Sequence, residues 1–245
     1  MNLPKPYQDF DMDLDEEREH SLELLNALFN RMLRDEHLPR YYFHRMRDEC
    51  QKAVNNYYRD MFGLWDRDEL DKDFIGYIDK LVGDNRQKQH EAKEPYKIVM
   101  HSIKIVNEMQ EPYDTIVSIL FGGIELGFAL KAIAEIMHSP IDSDLFFVRY
   151  SMYDRNDKYV VIPKQLLWDI PIGKRILIMD DSVGTGRTLR AVRKFFRALD
   201  NEADITATEI SYKYLDDVAY GIKKGKVINL NELKFESGLA YRKRD

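Results

Sequence analysis

The sequence predicts an all-α N-terminal region followed by an α/β domain in which helices flank a parallel sheet. Before Tyr113, apolar residues recur at three- and four-residue spacing, as on amphipathic helices. After it, short continuous apolar runs alternate with helical stretches, which is typical of buried parallel strands. Nine of the twelve glycines follow Tyr113, and the formal charge changes from −7 through Glu111 to +1 beyond Pro112. We therefore predict a helical accessory domain at residues 1–112 and an α/β domain at residues 113–245.

Composition excludes several classes of protein. The 245 residues carry a formal net charge of −6 and are 44% hydrophobic, which suffices for a globular core. The single cysteine, Cys50, excludes an internal disulfide framework. The longest apolar stretch, Thr115–Met137, contains charged residues that would be costly in a bilayer. A sequence pI of about 5.6 indicates no excess of basic residues of the kind that binds nucleic acid. We expect a soluble cytoplasmic protein that binds neither nucleic acid nor membrane.

Four helices are predicted in the first region. They are the apolar stripe Leu22–Leu33, ended by Pro39, and the stretches Tyr41–Phe62, Arg67–Val82 and Tyr96–Met109. Gly83 stands where a helix C-cap belongs. The tyrosines of the second helix fit a core, an oligomer interface or a ligand site equally well. The acidic helices would pack against the α/β domain or against a second subunit, so the sequence leaves a homodimer open.

The second region contains six strand candidates. These are Thr115–Leu120, Leu145–Val148, Tyr159–Ile162, Arg175–Met179, Ile205–Ile210 and Val227–Leu230. A helical pattern follows Gly122–Gly123, and another follows the glycine-containing loop after Met179. The apolar face of the latter helix comprises Leu189, Val192, Phe196 and Leu199.

The most informative chemistry follows the fourth strand. Asp180 and Asp181 end an apolar strand, where open α/β sheets place their ligands. Gly184 and Gly186 permit a tight turn and a close backbone approach to a ligand. The turn leads into a helix N-terminus, which favours a phosphate, and Thr185 and Thr188 add hydroxyl donors. Carboxylates and phosphate donors in one loop suit a sugar phosphate. The alternative is an ordinary strand–turn–helix whose aspartates are internally satisfied.

Two other phosphate-binding loops fit less well. A Walker A loop requires lysine after its last glycine, whereas Arg187 follows Gly186. A dinucleotide-binding loop requires a third glycine, whereas Leu189 occupies that position.

The run Ile176–Leu189 resembles the signature of type I phosphoribosyltransferases that binds 5-phosphoribosyl-1-pyrophosphate (PRPP). In that signature, two acidic residues follow a hydrophobic strand and precede Thr-Gly-x-Thr. Gly173–Arg175 is similar to the usual lead-in, and Ser118–Gly127 is similar to the family's first strand and pyrophosphate loop. The resemblance covers roughly residues 113–230 and leaves out the helical region. It implies a parallel sheet flanked by helices.

The resemblance implies roles for residues in both motifs. Asp180 and Asp181 would hold the ribose hydroxyls, directly or through Mg²⁺. Gly122 and Gly123 would bind pyrophosphate through backbone N–H groups. The 5-phosphate would be bound by Ser182, Val183, Gly184, Thr185, Gly186, Arg187 and Thr188. Glu125 departs from this scheme, because it adds a negative charge beside the pyrophosphate loop.

Two further segments gain roles from the resemblance. A mobile loop at residues 150–158 would bring Arg155 and Lys158 to the leaving pyrophosphate. The same residues also fit a polar hairpin turn. After the fifth strand, Lys213 with Tyr212 or Tyr214 would recognise the acceptor, although surface tyrosines fit that position as well.

The resemblance implies transfer of ribose 5-phosphate from PRPP to a nitrogen acceptor of the nucleobase kind, with release of pyrophosphate. Such a pentosyl transferase would use Mg²⁺ and serve nucleotide metabolism. A second hypothesis is a non-catalytic regulator that binds PRPP or a nucleotide on the same fold. A third is an interaction module that keeps only the scaffold, against which the intact Asp180–Asp181 pair argues.

Overall fold

The structure is a computed structural model that describes residues 12–83, 95–120, 122–150, 159–171, 175–181, 187–200 and 202–209. Its helices are α1 (Met12–Met32), α2 (Arg40–Met61), α3 (Lys72–Val82), α4 (Pro95–Glu108), α5 (Ile124–Ile136) and α6 (Arg187–Leu199). Its strands are β1 (Thr115–Ile119), β2 (Asp144–Val148), β3 (Ile176–Asp180) and β4 (Ile205–Glu209). A short 3-10 helix covers Lys164–Asp169. None of the helices in these ranges combines the length and apolarity needed to cross a membrane.

The four strands form one parallel sheet in the order β2-β1-β3-β4. Within each strand, successive side chains point to opposite faces of the sheet. Ile116, Phe147 and Leu177 face a hydrophobic cluster that includes α4 and α5. Val117, Phe146 and Ile178 face a second cluster that includes α6. Both faces are therefore covered by helices, which confirms the predicted parallel sheet flanked by helices.

The N-terminal helices extend the first cluster. Residues from α1, α2 and α3 belong to the same continuous set of buried apolar side chains as residues from the sheet. On α2, the ring centroid of Phe43 lies 5.8 Å from that of Phe147 on β2. Phe147 in turn lies 5.5 Å from Phe128 on α5. The helical region thus packs on the α5 side of the sheet. The predicted boundary at residue 112 stays a prediction.

The predicted helix boundaries need corrections, the largest at α1, which begins at Met12 rather than near Leu22. The third helix begins at Lys72 rather than Arg67, because the Asp71 side chain accepts a hydrogen bond from the Phe74 N–H at 3.0 Å and caps the helix. Gly83 ends this helix with a φ of 59°, as the C-cap prediction requires. On α6, Leu189, Val192 and Phe196 are buried as predicted, whereas Leu199 at the helix end is 43% exposed.

The predicted strand Tyr159–Ile162 is wrong. Val161 forms a single antiparallel bridge with Arg149, and Tyr159 is 76% exposed. Pro163 follows two residues later and has no N–H, so it cannot donate the next hydrogen bond of a ladder. The fifth candidate is confirmed as β4, and Val227–Leu230 lies outside the described residues.

Candidate functional site

The sheet order creates a crevice between β1 and β3. The chain passes from β1 to its neighbour β2 on one side and continues with β3 on the other side of β1. The connections that leave the carboxyl ends of β1 and β3 therefore diverge. In open α/β sheets, such a switch point is where ligands bind. Both sequence motifs follow these two strands.

Asp180 and Asp181 lie at the carboxyl end of β3. Asp180 is the last residue of the strand and is 6% exposed, whereas Asp181 is partly exposed. The Asp180 carboxylate accepts a hydrogen bond from the Asp181 N–H at 2.9 Å. This bond fixes the orientation of the Asp180 carboxylate relative to the Asp181 backbone. The second carboxylate points away from the core toward the turn after β1.

Gly122 and Gly123 bring the turn after β1 against the carboxyl end of β3. A Cβ atom added to Gly122 would overlap the Asp181 carboxylate. A Cβ added to Gly123 would lie 2.9 Å from the carbonyl oxygens of both Ile119 and Met179. The two motifs, which are about sixty residues apart in the sequence, thus meet at the switch point. At Gly123 only glycine allows this close approach of the two backbones, whereas at Gly122 the neighbouring group is a side chain.

The Gly123 backbone is engaged within the chain. The Gly123 N–H donates to the Ile119 carbonyl oxygen at 2.9 Å. Gly123 is also the N-cap residue of α5. The first N–H groups of a helix have no partner within the helix and favour an anion. An anion beside Gly122 would therefore face the start of α5.

Glu125 on the first turn of α5 is buried and paired with the N-terminal helices. Its Oε1 accepts a hydrogen bond from Arg18 Nη1 at 2.5 Å and from the Tyr58 hydroxyl at 2.7 Å. Arg18 Nη2 also contacts Asp15 at 2.6 Å, and the guanidinium lies 4.3 Å from the Tyr57 ring centroid. The charge that departs from the family's pattern is thus compensated by α1.

The protonation states of this group follow from its surroundings. Burial alone would lower the pKa of Arg18, but the charges of Glu125 and its neighbours outweigh burial and raise it. Burial, followed by the charge of Glu125, raises the pKa of Tyr58 well above its usual value. Arg18 therefore remains a cation, and Tyr58 remains a hydrogen-bond donor.

Only part of the predicted site falls on described residues. Asp180, Asp181, Gly122 and Gly123 come together as described above. Arg187 begins α6, so a helix N-terminus follows the glycine-containing segment 182–186 as predicted, and Thr188 is partly buried in the first turn of this helix. The remaining predicted site residues lie outside the described residues: Arg155, Lys158, Ser182, Val183, Gly184, Thr185, Gly186, Tyr212, Lys213 and Tyr214.

Sequence reasoning missed the contribution of α1. Arg18 and Asn30 are twelve residues apart on this helix. Asn30 Oδ1 accepts a hydrogen bond from Arg149, the residue directly after β2, at 3.0 Å. No periodicity or motif signals either contact, because each joins residues more than a hundred positions apart.

The donor set at the end of β3 fits a hard divalent cation. Carboxylate oxygens are the ligands that Mg²⁺ prefers, and Mg²⁺ is usually held by one or two carboxylates together with substrate phosphates. Asp180 and Asp181 supply such a pair. Within the described ranges, no group of three or more His, Cys, Asp and Glu residues is placed to hold a metal by itself.

Two solved structures similar to this chain come from prokaryotes. A purine phosphoribosyltransferase from Pyrococcus horikoshii is 22% identical over 47% of this chain and 73% of its own, with a TM-score of 0.32. A hypothetical protein from Neisseria gonorrhoeae with bound ppGpp is 18% identical over 49% of this chain and 67% of its own, also with a TM-score of 0.32. No functionally curated protein matches the sequence.

The family match is the stronger finding. The family model for the phosphoribosyl transferase domain matches residues 87–213, which is just over half of the 245-residue chain. The match includes α4, β1 to β4 and both strand-end motifs. It begins before the predicted boundary at residue 112 and leaves α1, α2 and α3 outside. The chain therefore belongs to the phosphoribosyl transferase domain family.

Proposed function

We propose that the chain is a PRPP-dependent phosphoribosyltransferase that transfers ribose 5-phosphate to a nitrogen acceptor of the nucleobase kind and releases pyrophosphate. The contact between the Gly122 backbone and the Asp181 carboxylate at the switch point carries this proposal. It joins a surface suited to an anion with a surface suited to ribose hydroxyls. PRPP presents a pyrophosphate directly beside ribose hydroxyls, so one substrate satisfies both surfaces.

Each described residue then has a defined task. The carboxylates of Asp180 and Asp181 accept hydrogen bonds from the ribose 2- and 3-hydroxyls, or hold them through Mg²⁺. Charge-assisted hydrogen bonds of this kind are stronger than neutral ones. The pyrophosphate lies against Gly122 and the first turn of α5, where backbone N–H groups and the helix dipole stabilise its charge. Gly123 supports this turn by its close approach to the ends of β1 and β3.

The 5-phosphate occupies the loop 182–188, which leads into α6. The helix N-terminus at Arg187 favours the phosphate, and Thr188 offers a hydroxyl donor. Arg155 and Lys158 stabilise the leaving pyrophosphate, while Lys213 and Tyr212 or Tyr214 orient the acceptor. Mg²⁺, when bound with PRPP, supplies positive charge to the pyrophosphate.

The bond from the ribose carbon to pyrophosphate breaks as the bond to the acceptor nitrogen forms on the opposite face. Positive charge develops on the ribose in the transition state, and negative charge develops on the leaving pyrophosphate. The protein therefore contributes mainly orientation and charge stabilisation. Such chemistry requires no nucleophilic side chain.

Two measurements test this proposal in order. First, thermal unfolding of the wild type is measured with and without PRPP and Mg²⁺, and PRPP should raise Tm in a concentration-dependent manner. Second, pyrophosphate release is measured with a panel of purine, pyrimidine and other nitrogen acceptors. Release with one acceptor class supports the transferase. Binding of PRPP without pyrophosphate release in the presence of any acceptor would instead indicate a non-catalytic PRPP-binding regulator. Absence of any PRPP effect on Tm would contradict both functions.

A further inference from the structure

We propose that Arg18 is a positioning residue for the pyrophosphate end of the PRPP site, where it cancels the charge of Glu125 and holds that carboxylate away from the ligand. This inference rests on the proposed function. Arg18 belongs to a group of side chains that also includes Tyr57, Tyr58 and Glu125. This group lies at the start of α5 and joins this helix to α1 and α2.

The location of Glu125 creates the need for such a residue. Glu125 is the second residue of α5 and follows directly after the Gly122–Gly123 turn. A carboxylate on the first turn of a helix interacts favourably with the helix dipole and would compete there with a bound anion. It would also repel the pyrophosphate, which carries the same sign of charge. An uncompensated Glu125 would therefore oppose binding at this turn.

Arg18 removes this opposition through a short and buried contact. The Arg18 residue is 1% exposed, and its guanidinium reaches the Glu125 carboxylate at 2.5 Å. Screening by solvent and salt is weak at this depth, so the attraction between these two charges is strong, while the other nitrogen, Nη2, pairs with the half-exposed Asp15 carboxylate. Tyr58 donates to the same carboxylate oxygen. Both donors come from the N-terminal helices, and they draw the carboxylate toward these helices.

A second contact holds α1 near its C-terminal end. Asn30 accepts a hydrogen bond from Arg149, which follows β2, whereas Arg18 contacts the helix that follows β1. Twelve residues of α-helix span about 18 Å. Helix α1 therefore spans the segments that leave two neighbouring strands on the ligand side of the sheet. We infer that this helix sets the position of the Arg18 guanidinium.

The test uses three variants of the full chain, with Glu125→Gln as a fourth if Arg18→Gln does not fold. Arg18→Gln leaves Glu125 uncompensated, and Arg18→Gln/Glu125→Gln removes both charges. Arg59→Gln is the matched control, because Arg59 on α2 contacts Glu135 at 2.8 Å and thus joins the same helix α5 at its other end. Glu135 lies about 15 Å from Glu125 along the helix axis. The dissociation constants of PRPP with Mg²⁺ and of pyrophosphate with Mg²⁺ are measured by calorimetry, beside the unfolding midpoint of each variant.

The expected pattern separates charge compensation from a purely structural role. Arg18→Gln should weaken binding of both ligands at least ten-fold, and the double variant should return to within about three-fold of the wild type. Arg59→Gln should lower the unfolding midpoint without changing either dissociation constant.

Several results would overturn the inference. If the wild type binds PRPP and Arg18→Gln binds it within two-fold, Arg18 has no positioning role. Loss of binding in the double variant as severe as in Arg18→Gln would indicate structural damage instead. If Arg18→Gln does not fold, Glu125→Gln alone decides, because unchanged or tighter binding is expected and a ten-fold loss would contradict charge compensation. Failure of the wild type to bind PRPP would overturn the proposed function itself, and this inference with it.

Discussion

Gly122 and Gly123 contact different kinds of atoms, and this difference predicts different effects of the same substitution. Gly122→Ala should displace the Asp181 carboxylate and weaken PRPP binding, with little loss of stability. Gly123→Ala places its Cβ against two backbone carbonyl oxygens, which cannot move independently of the sheet. We expect it to lower the free energy of unfolding by about 1–3 kcal/mol. Urea unfolding and PRPP calorimetry on both variants check these effects, and wild-type affinity in Gly122→Ala would contradict the placement of Asp181.

His101 on α4 predicts the pH dependence of stability. It is 5% exposed, and burial, together with the charge of Lys104, lowers its pKa to about 4. In the unfolded chain this histidine takes up a proton near its ordinary pKa of about 6.5. Because the unfolded state binds the proton more readily, stability falls as the pH drops from about 6.5 toward 4.

The expected loss from His101 is about 2 kcal/mol between pH 7 and pH 5. His101→Gln should reduce this pH dependence, whereas substitution of the exposed His37 should leave it unchanged. Urea unfolding at both pH values measures the effect. Equal pH dependence in the wild type and in His101→Gln would show that His101 is protonated in the folded state.

At the level of elements, local sequence patterns predict the helices and the buried strands, whereas they do not predict which strands pair with one another. The continuous apolar runs at β1 and β3 predict buried strands because both faces of each strand contact helices. The run Tyr159–Ile162 has similar composition, but Pro163 prevents a ladder from extending beyond the bridge to Arg149. The start of α3 depended on which acidic residue capped the helix, and spacing alone did not identify Asp71.

The candidate site shows the same division between local pattern and packing. Asp180 and Asp181 are predictable because an apolar strand places them at its end. The contact between Arg18 and Glu125 is not, because any of several acidic residues could pair with this arginine until α1 packs on α5. In the sequence, Glu125 is a negative charge without an identifiable partner. Tertiary packing brings Arg18 to it.

For the whole molecule, the shared core predicts how the two regions unfold. Phe43 on α2 contacts Phe147 on β2 within the hydrophobic cluster that spans the N-terminal helices and the sheet. Phe43→Ala should lower the free energy of unfolding by about 3–5 kcal/mol. Amide hydrogen exchange should show an equal loss in α2 and in β1, because both belong to one cooperative unit.

The control for this prediction is Tyr159→Ala, which removes a mostly exposed ring. It should change stability by less than about 0.5 kcal/mol. If Phe43→Ala lowers protection in α2 alone, the helical region and the sheet unfold separately. That outcome would support two independently stable domains divided near residue 112.

The central claim is that the crevice between β1 and β3 binds PRPP through the acidic pair at the end of β3. Calorimetric titration with PRPP and Mg²⁺ tests it most directly, on the wild type, on Asp180→Asn/Asp181→Asn and on Asp142→Asn/Asp144→Asn. The control pair changes the net charge equally, but it is exposed and lies at the opposite end of the sheet, where β2 begins. We predict one binding site in the wild type and in the control, and at least about 100-fold weaker binding in Asp180→Asn/Asp181→Asn. Wild-type affinity in that folded double variant, or no binding by the wild type, would contradict the account.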